Sequence, residues 1–302
     1  MTDWKASLKA TGVGTLGGVA IGLAAFYYLQ YRQQPGMGLV LFVLVPVVGG
    51  FCSALVARGI NHAVAAAFLS VLFSLVVLIA TGREGLLCAL LAFPVIAVGL
   101  TLGIVLGMIA RHLLDRAKNQ NVPMGMLLLL GPLLVVAGER VETPTMQQPR
   151  REVVETSVLV NAPPEQVWNN ILSIDSVSAS KPLLMYVGLP IPQRCALQGR
   201  GVGAKRTCYF NAGYIEETVT EWRPPYALGF SIDRTHMPGR HWLGFEHADY
   251  RLESRANSTL LTRRTVVTSH LQPAWYWSFF ERLGVESEHE YVLQDVALRA
   301  QR

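Results

Sequence analysis

Charge is what this chain is short of. Asp, Glu, Lys and Arg make up 16% of its 302 residues, against about 25% in ordinary soluble domains. The shortage is concentrated in the first half. Between Ala10 and Lys118 the only such side chains are Arg32, Arg58, Arg83, Glu84, Arg111, Asp115 and Arg116. From Glu139 onward charges recur every few residues, so two differently built regions share one chain. The net charge of +5 is scattered, with no lysine-rich tract and no aromatic-basic stripe, which excludes a nucleic-acid partner. Cysteine is also scarce. Neither Cys52 and Cys88, set in apolar runs, nor Cys195 and Cys208 have the CxxC spacing of a zinc or thioredoxin-like site. No GxSxG, HExxH or P-loop occurs, and Gly201-Val-Gly203 has no helix after it, so it is a turn and not a dinucleotide fingerprint. His236, His241, Glu246, His247 and Asp249 are only loosely grouped, and Glu288-His289-Glu290 reads as the solvated face of a helix. No catalytic residue, metal ligand or cofactor is assigned.

What the first half has instead is length of apolar sequence. Five segments approach or exceed the ~17–25 residues that cross the hydrocarbon core as a helix: Thr11 to Leu29, Leu39 to Ala57, Ala63 to Ala80, Leu86 to Ala110 and Val122 to Gly138. Their lack of polar faces argues against buried helices of a soluble protein. The first continues through Phe26-Tyr27-Tyr28-Leu29 without a small-residue cleavage site, which marks a retained span and not a signal peptide. With the N-terminus inside, Lys5, Lys9, Arg58, Arg111, Arg116 and Lys118 fall on the inner side and only Arg32 and Arg83 outside. Five crossings then put the second half on the outer side of a cell membrane, in a bacterium the inner one. A fifth segment that fails to cross would leave it in the cytoplasm. No span carries a mid-membrane charge, which argues against a transport path. Gly14, Gly18 and Gly22, and again Gly99, Gly103 and Gly107, repeat at four-residue spacing, with Gly49, Ser53 and Ala57 as a softer version. Such faces let helix backbones approach closely, possible partners being the two glycine faces themselves.

Residues 139–151, with Pro144, Pro149 and two glutamines, read as a linker. A strand follows at Val153 to Asn161, then a helix opened by Pro163-Pro164. Strands come next at Pro192 to Gln198, Ala204 to Asn211, Ile215 to Trp222, Tyr226 to Asp233, Gly244 to Glu253 and Ser258 to Ser269, and Pro273 to Arg302 closes the chain as a long helix. The domain order is therefore 1–138 transmembrane bundle, 139–151 linker and 152–302 soluble domain. The fold class expected is an α-helical transmembrane bundle followed by an α+β helix-grip domain, a curved antiparallel sheet around the last helix.

Three stretches carry a family likeness: Val158 to Trp168 (VLVNAPPEQVW), Gly199 to Gly203 with Arg206 and Phe210, and Glu216 to Phe230 (EETVTEWRPPYALGF). Through them the second half resembles the SRPBCC superfamily, also called START-like or Bet v 1-like, which includes polyketide cyclase and dehydrase types. The resemblance implies a cavity for a lipid, polyketide, steroid or similar hydrophobic molecule. It brings no shared catalytic motif. Tyr209, Phe210, Phe230, Phe245, Tyr250 and Trp275 are the candidate lining, with Tyr214, Trp242 and Tyr276 as further aromatics, and core packing competes with that role at each. Three functions remain: a membrane-tethered carrier or sensor, a cyclase- or hydrolase-like enzyme, and an interaction module with a vestigial cavity.

Cys195 and Cys208 lie on consecutive strands. A hairpin centred between Gly201 and Val202 sets them directly opposite, within disulfide range. A one-residue slip would put them on opposite faces.

Overall fold

The computed structural model describes residues 3–33, 36–57, 59–116, 124–237 and 242–302. The chain divides into two compact units, one of residues up to Gln148 together with His270–Pro273, the other Pro149–Ser269 with Ala274–Arg302.

The first unit is helical: α1 (Asp3–Gln33), a π-helical turn (Val40–Leu44) running into α2 (Val45–Val56), α3 (Ile60–Ala80), α4 (Leu86–Arg116) and α5 (Met124–Met146). Three of the five expected spans correspond to helices long and apolar enough to cross a membrane: Thr11–Gln33, Ile60–Ala80 and Leu86–Arg116. Val40–Val56 is shorter. The start of the fifth expected span lies outside the described residues.

Glycine sets the helix contacts, though not between the two glycine faces. A Cβ on Gly103 would stand 2.0 Å from the Val47 carbonyl oxygen, and one on Gly107 would stand 2.7 Å from that of Phe51, so α4 rests directly on the α2 backbone. On α2 the matching glycine is Gly50, whose added Cβ would meet Leu100 O at 2.3 Å; Gly49 faces open space. The α1 glycines meet the small side chains Ala66, Ser70 and Ser74 of α3. Small residues thus pair α4 with α2 and α1 with α3, letting the helices approach to close van der Waals contact.

The stretch expected as a linker is helical through Met146, and β1 begins at Arg150. Its acids explain the difference. Glu139, 1% exposed, accepts from Arg32 Nε (3.3 Å), Tyr28 OH (3.3 Å) and Thr143 Oγ1 (2.9 Å). Glu142 accepts from Gln33 Nε2 (3.0 Å) and from the backbone N–H groups of Leu39 and Val40. A carboxylate at the orphan donors of a helix start is the charge that such an end favours.

Among its described residues the second unit has one seven-stranded antiparallel sheet and three helices. The strands are β1 (Arg150–Val160), β2 (Pro192–Gln198), β3 (Lys205–Phe210), β4 (Gly213–Arg223), β5 (Ala227–His236), β6 (Leu243–Arg255) and β7 (Ser258–Ser269), in the spatial order β1-β7-β6-β5-β4-β3-β2. Between β1 and β2 come α6 (Pro164–Leu172) and the single turn α7 (Leu183–Tyr186), and α8 (Ala274–Ala300) ends the chain. Register shifts in β4 and β6 mark bulges, which bend and twist a strand. The fold is the helix grip: one face of the sheet lies against α8. At one end an apolar cluster joins Val167, Trp168 and Ile171 of α6 to Val292, Leu293 and Val296 of α8 and to Leu228, Leu252 and Leu261 of the sheet.

Candidate binding site on the inner face of the grip

Strand alternation decides which side chains face α8. On β3 the set is Arg206, Cys208 and Phe210; on β7 it is Leu261, Arg263, Thr265 and Val267. Cross-strand pairing carries the same face through Tyr250, which is opposite Arg263, and Phe245, which is opposite Val267. Of the aromatics proposed as lining, Phe210, Phe230, Phe245 and Tyr250 are therefore on the inner face. Phe230 and Tyr250 are 1% and 2% exposed and meet edge to face with centroids 6.5 Å apart.

Tyr209 is not on that face. It is one residue out of phase with Cys208 and lies under the Arg194 guanidinium, 4.2 Å from its ring centroid, beside Tyr214, which stacks on His236. Trp275, in the first turn of α8, is 78% exposed. The other grouped histidines and acids spread over surface pairs: Glu246 with Arg151, and Asp249 with Arg251 and Arg264. His241 lies outside the described residues.

Cys195 stands opposite Cys208 in the β2–β3 register, Cα atoms 4.0 Å apart, and the two are joined by a disulfide. The tight turn that sets this register uses Gly199, Gly201 and Gly203 at φ of +88°, +86° and +89°, where glycine alone is free of strain. Ile174, just beyond α6, adds backbone bonds to both the N–H and the carbonyl of Cys195.

The inner face also carries charges that the sequence pattern hides. Arg206, with a side chain 3% exposed, donates from Nη1 to Glu217 Oε2 (3.2 Å) and from Nη2 to the Ile171 carbonyl (3.3 Å), and lies 4.7 Å over the Phe230 ring. Arg263 grips Glu288 of α8 with both Nη atoms (3.1 and 3.0 Å) and lies 5.6 Å from the Tyr250 centroid. Two cations thus rest on two rings that touch each other. The Nε–H groups of both arginines are buried without a partner. Cys208 Sγ lies 3.9 Å from Glu217 Oε2, but a disulfide sulfur has no proton to donate.

Burial pushes the Glu217 carboxyl upward, against the pull of Arg206 and Arg263. Burial works against the Arg263 cation too, but Glu288, Tyr250 and Glu217 outweigh it and hold the guanidinium charged. His289, fully buried and not on a solvated face, sits between Thr265 Oγ1 (2.8 Å from Nε2) and Thr156 Oγ1 (3.2 Å from Nδ1). Burial, with Arg263 adding to it, lowers its pKa to about 2, so it stays neutral. Farther along, Asp295 accepts from Ser178 N (2.8 Å), Ser178 Oγ (3.1 Å) and Arg299 Nε (2.8 Å). Among the charged groups here, Arg206 enters the sequence reading only through the family likeness, Glu288 and His289 only as a solvated helix face, and Glu217, Arg263 and Asp295 not as site candidates. The usable signal was parity: Arg206 shares the phase of Cys208, and Arg263 that of Leu261.

Neither a protein-family model nor a curated protein matches the chain. Solved structures similar to it include the Zhui aromatase/cyclase from Streptomyces sp. R1128, at 18% identity over 51% of this chain and 95% of that one, TM-score 0.37. Norcoclaurine synthase from Thalictrum flavum, in complex with dopamine and hydroxybenzaldehyde, is similar at 11% identity over 50% of this chain and 87% of that one, TM-score 0.34. Protein MLL2253 from Mesorhizobium loti is similar at 13% identity over 50% and 98%, TM-score 0.34. Similarity at this level carries neither ligand nor activity to this chain.

Proposed function

We propose that this chain is a membrane-tethered binding protein for a hydrophobic or lipid-like small molecule, taken up between the inner face of the sheet and α8. The observation that carries this reading is the make-up of that face: Phe210 and Phe245 stay half-buried where Phe230 and Tyr250 pack into the core, and a few fixed polar groups lie among them. An apolar surface with a few oriented polar groups is the usual composition of a small-molecule site. The tether is the first unit, with three helices of spanning length and composition. Five crossings with the N-terminus inside put the second unit on the outer side, where an oxidising compartment favours a bond such as Cys195–Cys208.

Photocrosslinking tests the site. A diazirine-bearing alkyl lipid, added to the full chain in amphipol, is expected to label peptides holding Phe210 or Phe245. Labelling confined to outer-face residues such as Tyr209, or to the first unit, overturns the reading and leaves the grip as an interaction module with a filled core. A cytoplasm-only reporter fused after Gly138 tests the orientation; activity there overturns it.

One observation favours a second reading, an enzyme working in the same interior. A carboxyl raised by burial, as at Glu217, is suited to general acid chemistry. Glu217→Gln abolishes turnover on that reading, and leaves binding of a neutral ligand intact on the first.

A further inference from the structure

Two guanidiniums on the inner face, that of Arg206 buried and that of Arg263 partly so, hold donors that the protein does not use. Arg206 spends Nη1 on Glu217 and Nη2 on the Ile171 carbonyl. Arg263 spends both Nη atoms on Glu288. The Nε–H of each is buried with no partner. A buried donor left unsatisfied costs about 1–3 kcal/mol, and more on a charged group. Native interiors seldom leave two such donors in one neighbourhood without something to meet them. They do share a neighbourhood: Arg206 lies on Phe230, Arg263 on Tyr250, and the two rings are in edge-to-face contact. Glu217 feels both cations.

We propose that the ligand is an amphiphile ending in a carboxylate, whose oxygens accept from Arg206 and Arg263 while its apolar body lies along the half-buried Phe210 and Phe245. This rests on the reading of an apolar ligand held between sheet and helix, and names its chemical class. A guanidinium is permanently charged and planar, and its fork matches a carboxylate. Charge balance allows the anion. Four groups are present, Arg206 and Arg263 against Glu217 and Glu288, and burial already drives Glu217 toward its neutral form. When the ligand carboxylate takes its place at Arg206, Glu217 takes up one proton. The two cations then face Glu288 and the ligand, and the interior stays neutral. A phenol, an alcohol or an alkane would leave the Nε donors without an anion and bring no such exchange.

The test uses the full chain in amphipol and three pyrene-tagged probes that differ only at one end: a fatty acid, its methyl ester and the parent alkane. The wild type is expected to bind the acid about tenfold or more tighter than the ester. Removing a whole ion pair, Arg206→Met with Glu217→Leu, avoids stranding a buried charge and so preserves folding. That variant is expected to bind all three probes alike, at the wild-type affinity for the alkane. Equal wild-type binding of acid, ester and alkane overturns the carboxylate assignment and leaves the apolar-ligand reading standing. No binding of any probe overturns both. An unchanged acid preference in the double variant overturns the role given to Arg206.

Discussion

A methyl group on Gly103 is the smallest change that should break the first unit. Gly103→Ala puts a Cβ 2.0 Å from the Val47 carbonyl oxygen, with the Val47 carbonyl carbon at 2.8 Å and the Phe51 nitrogen at 2.9 Å. All three are backbone atoms, so no rotamer change relieves the clash. Restoring ordinary contact parts α4 from α2 by about 1 Å, and a gap of that size forfeits roughly a quarter to a half of each dispersion contact along the crossing. The cost should reach the upper part of the ~1–3 kcal/mol range for overpacking. Gly14→Ala is the control. Its Cβ would sit 3.6 Å from the Ala66 Cβ, an ordinary contact, while alanine gains about 0.5–1 kcal/mol of helix preference over glycine. The two variants therefore differ in sign. Unfolding by SDS titration in mixed micelles, followed by circular dichroism, reads both. Gly103→Ala no less stable than Gly14→Ala would refute close backbone packing of α2 against α4.

Three further outcomes follow from the second unit. Asp295→Ala removes a fully buried carboxylate that holds Ser178 and the partly exposed Arg299, and should cost about 1.5–3 kcal/mol in denaturant unfolding of this unit within the full chain; no measurable loss contradicts the network. His289, with its pKa lowered to about 2, charges in the unfolded chain near pH 6.5 but not in the fold. The stability it lends is thus complete above about pH 6.5 and is lost as pH falls toward 2, roughly 2 kcal/mol of it by pH 5. His289→Gln should remove that part of the pH dependence, and an identical pH profile would contradict the assignment. In denaturant without reductant, a thiol reagent should label Cys52 and Cys88 alone, and all four cysteines after reduction; the disulfide closes a loop worth about 3 kcal/mol, so Cys195→Ser should destabilise by that order.

The second unit was legible where alternation and turns are strong. The expected strand at Pro192 to Gln198 coincides with β2 and that at Ser258 to Ser269 with β7, and the glycine turn sets the register that pairs Cys195 with Cys208. What sequence could not give was the sidedness of single aromatics. Tyr209 looks as apolar as Phe210, but one residue of phase puts it on the outer face with Arg194. Trp275 opens α8, where helical periodicity has too few turns to define a face. The buried arginines were hidden for the converse reason. Charge suggests solvent, and only pairing across β3–β4 and β7–α8 makes burial of Arg206 and Arg263 tolerable. In the first unit, four-residue glycine spacing announces close helix contacts but not their partner. That choice is made by Gly50 and the small residues of α3, which carry no special signal of their own. Glu139 and Glu142 looked like the start of a linker because their partners, Arg32 and the backbone N–H groups of Leu39 and Val40, lie more than a hundred residues away.

The central claim is that an apolar molecule occupies the second unit. Native mass spectrometry of the full chain, released from amphipol and followed by organic extraction of the same sample, measures this most directly. The expected result is a bound species of small-molecule mass that extracts into organic solvent. The Arg206→Met, Glu217→Leu chain should carry less of it than the wild type if it is a carboxylic acid. A wild-type chain that is folded, disulfide-bonded and free of any co-purified molecule, and that takes up none from an added lipid extract, would contradict the claim.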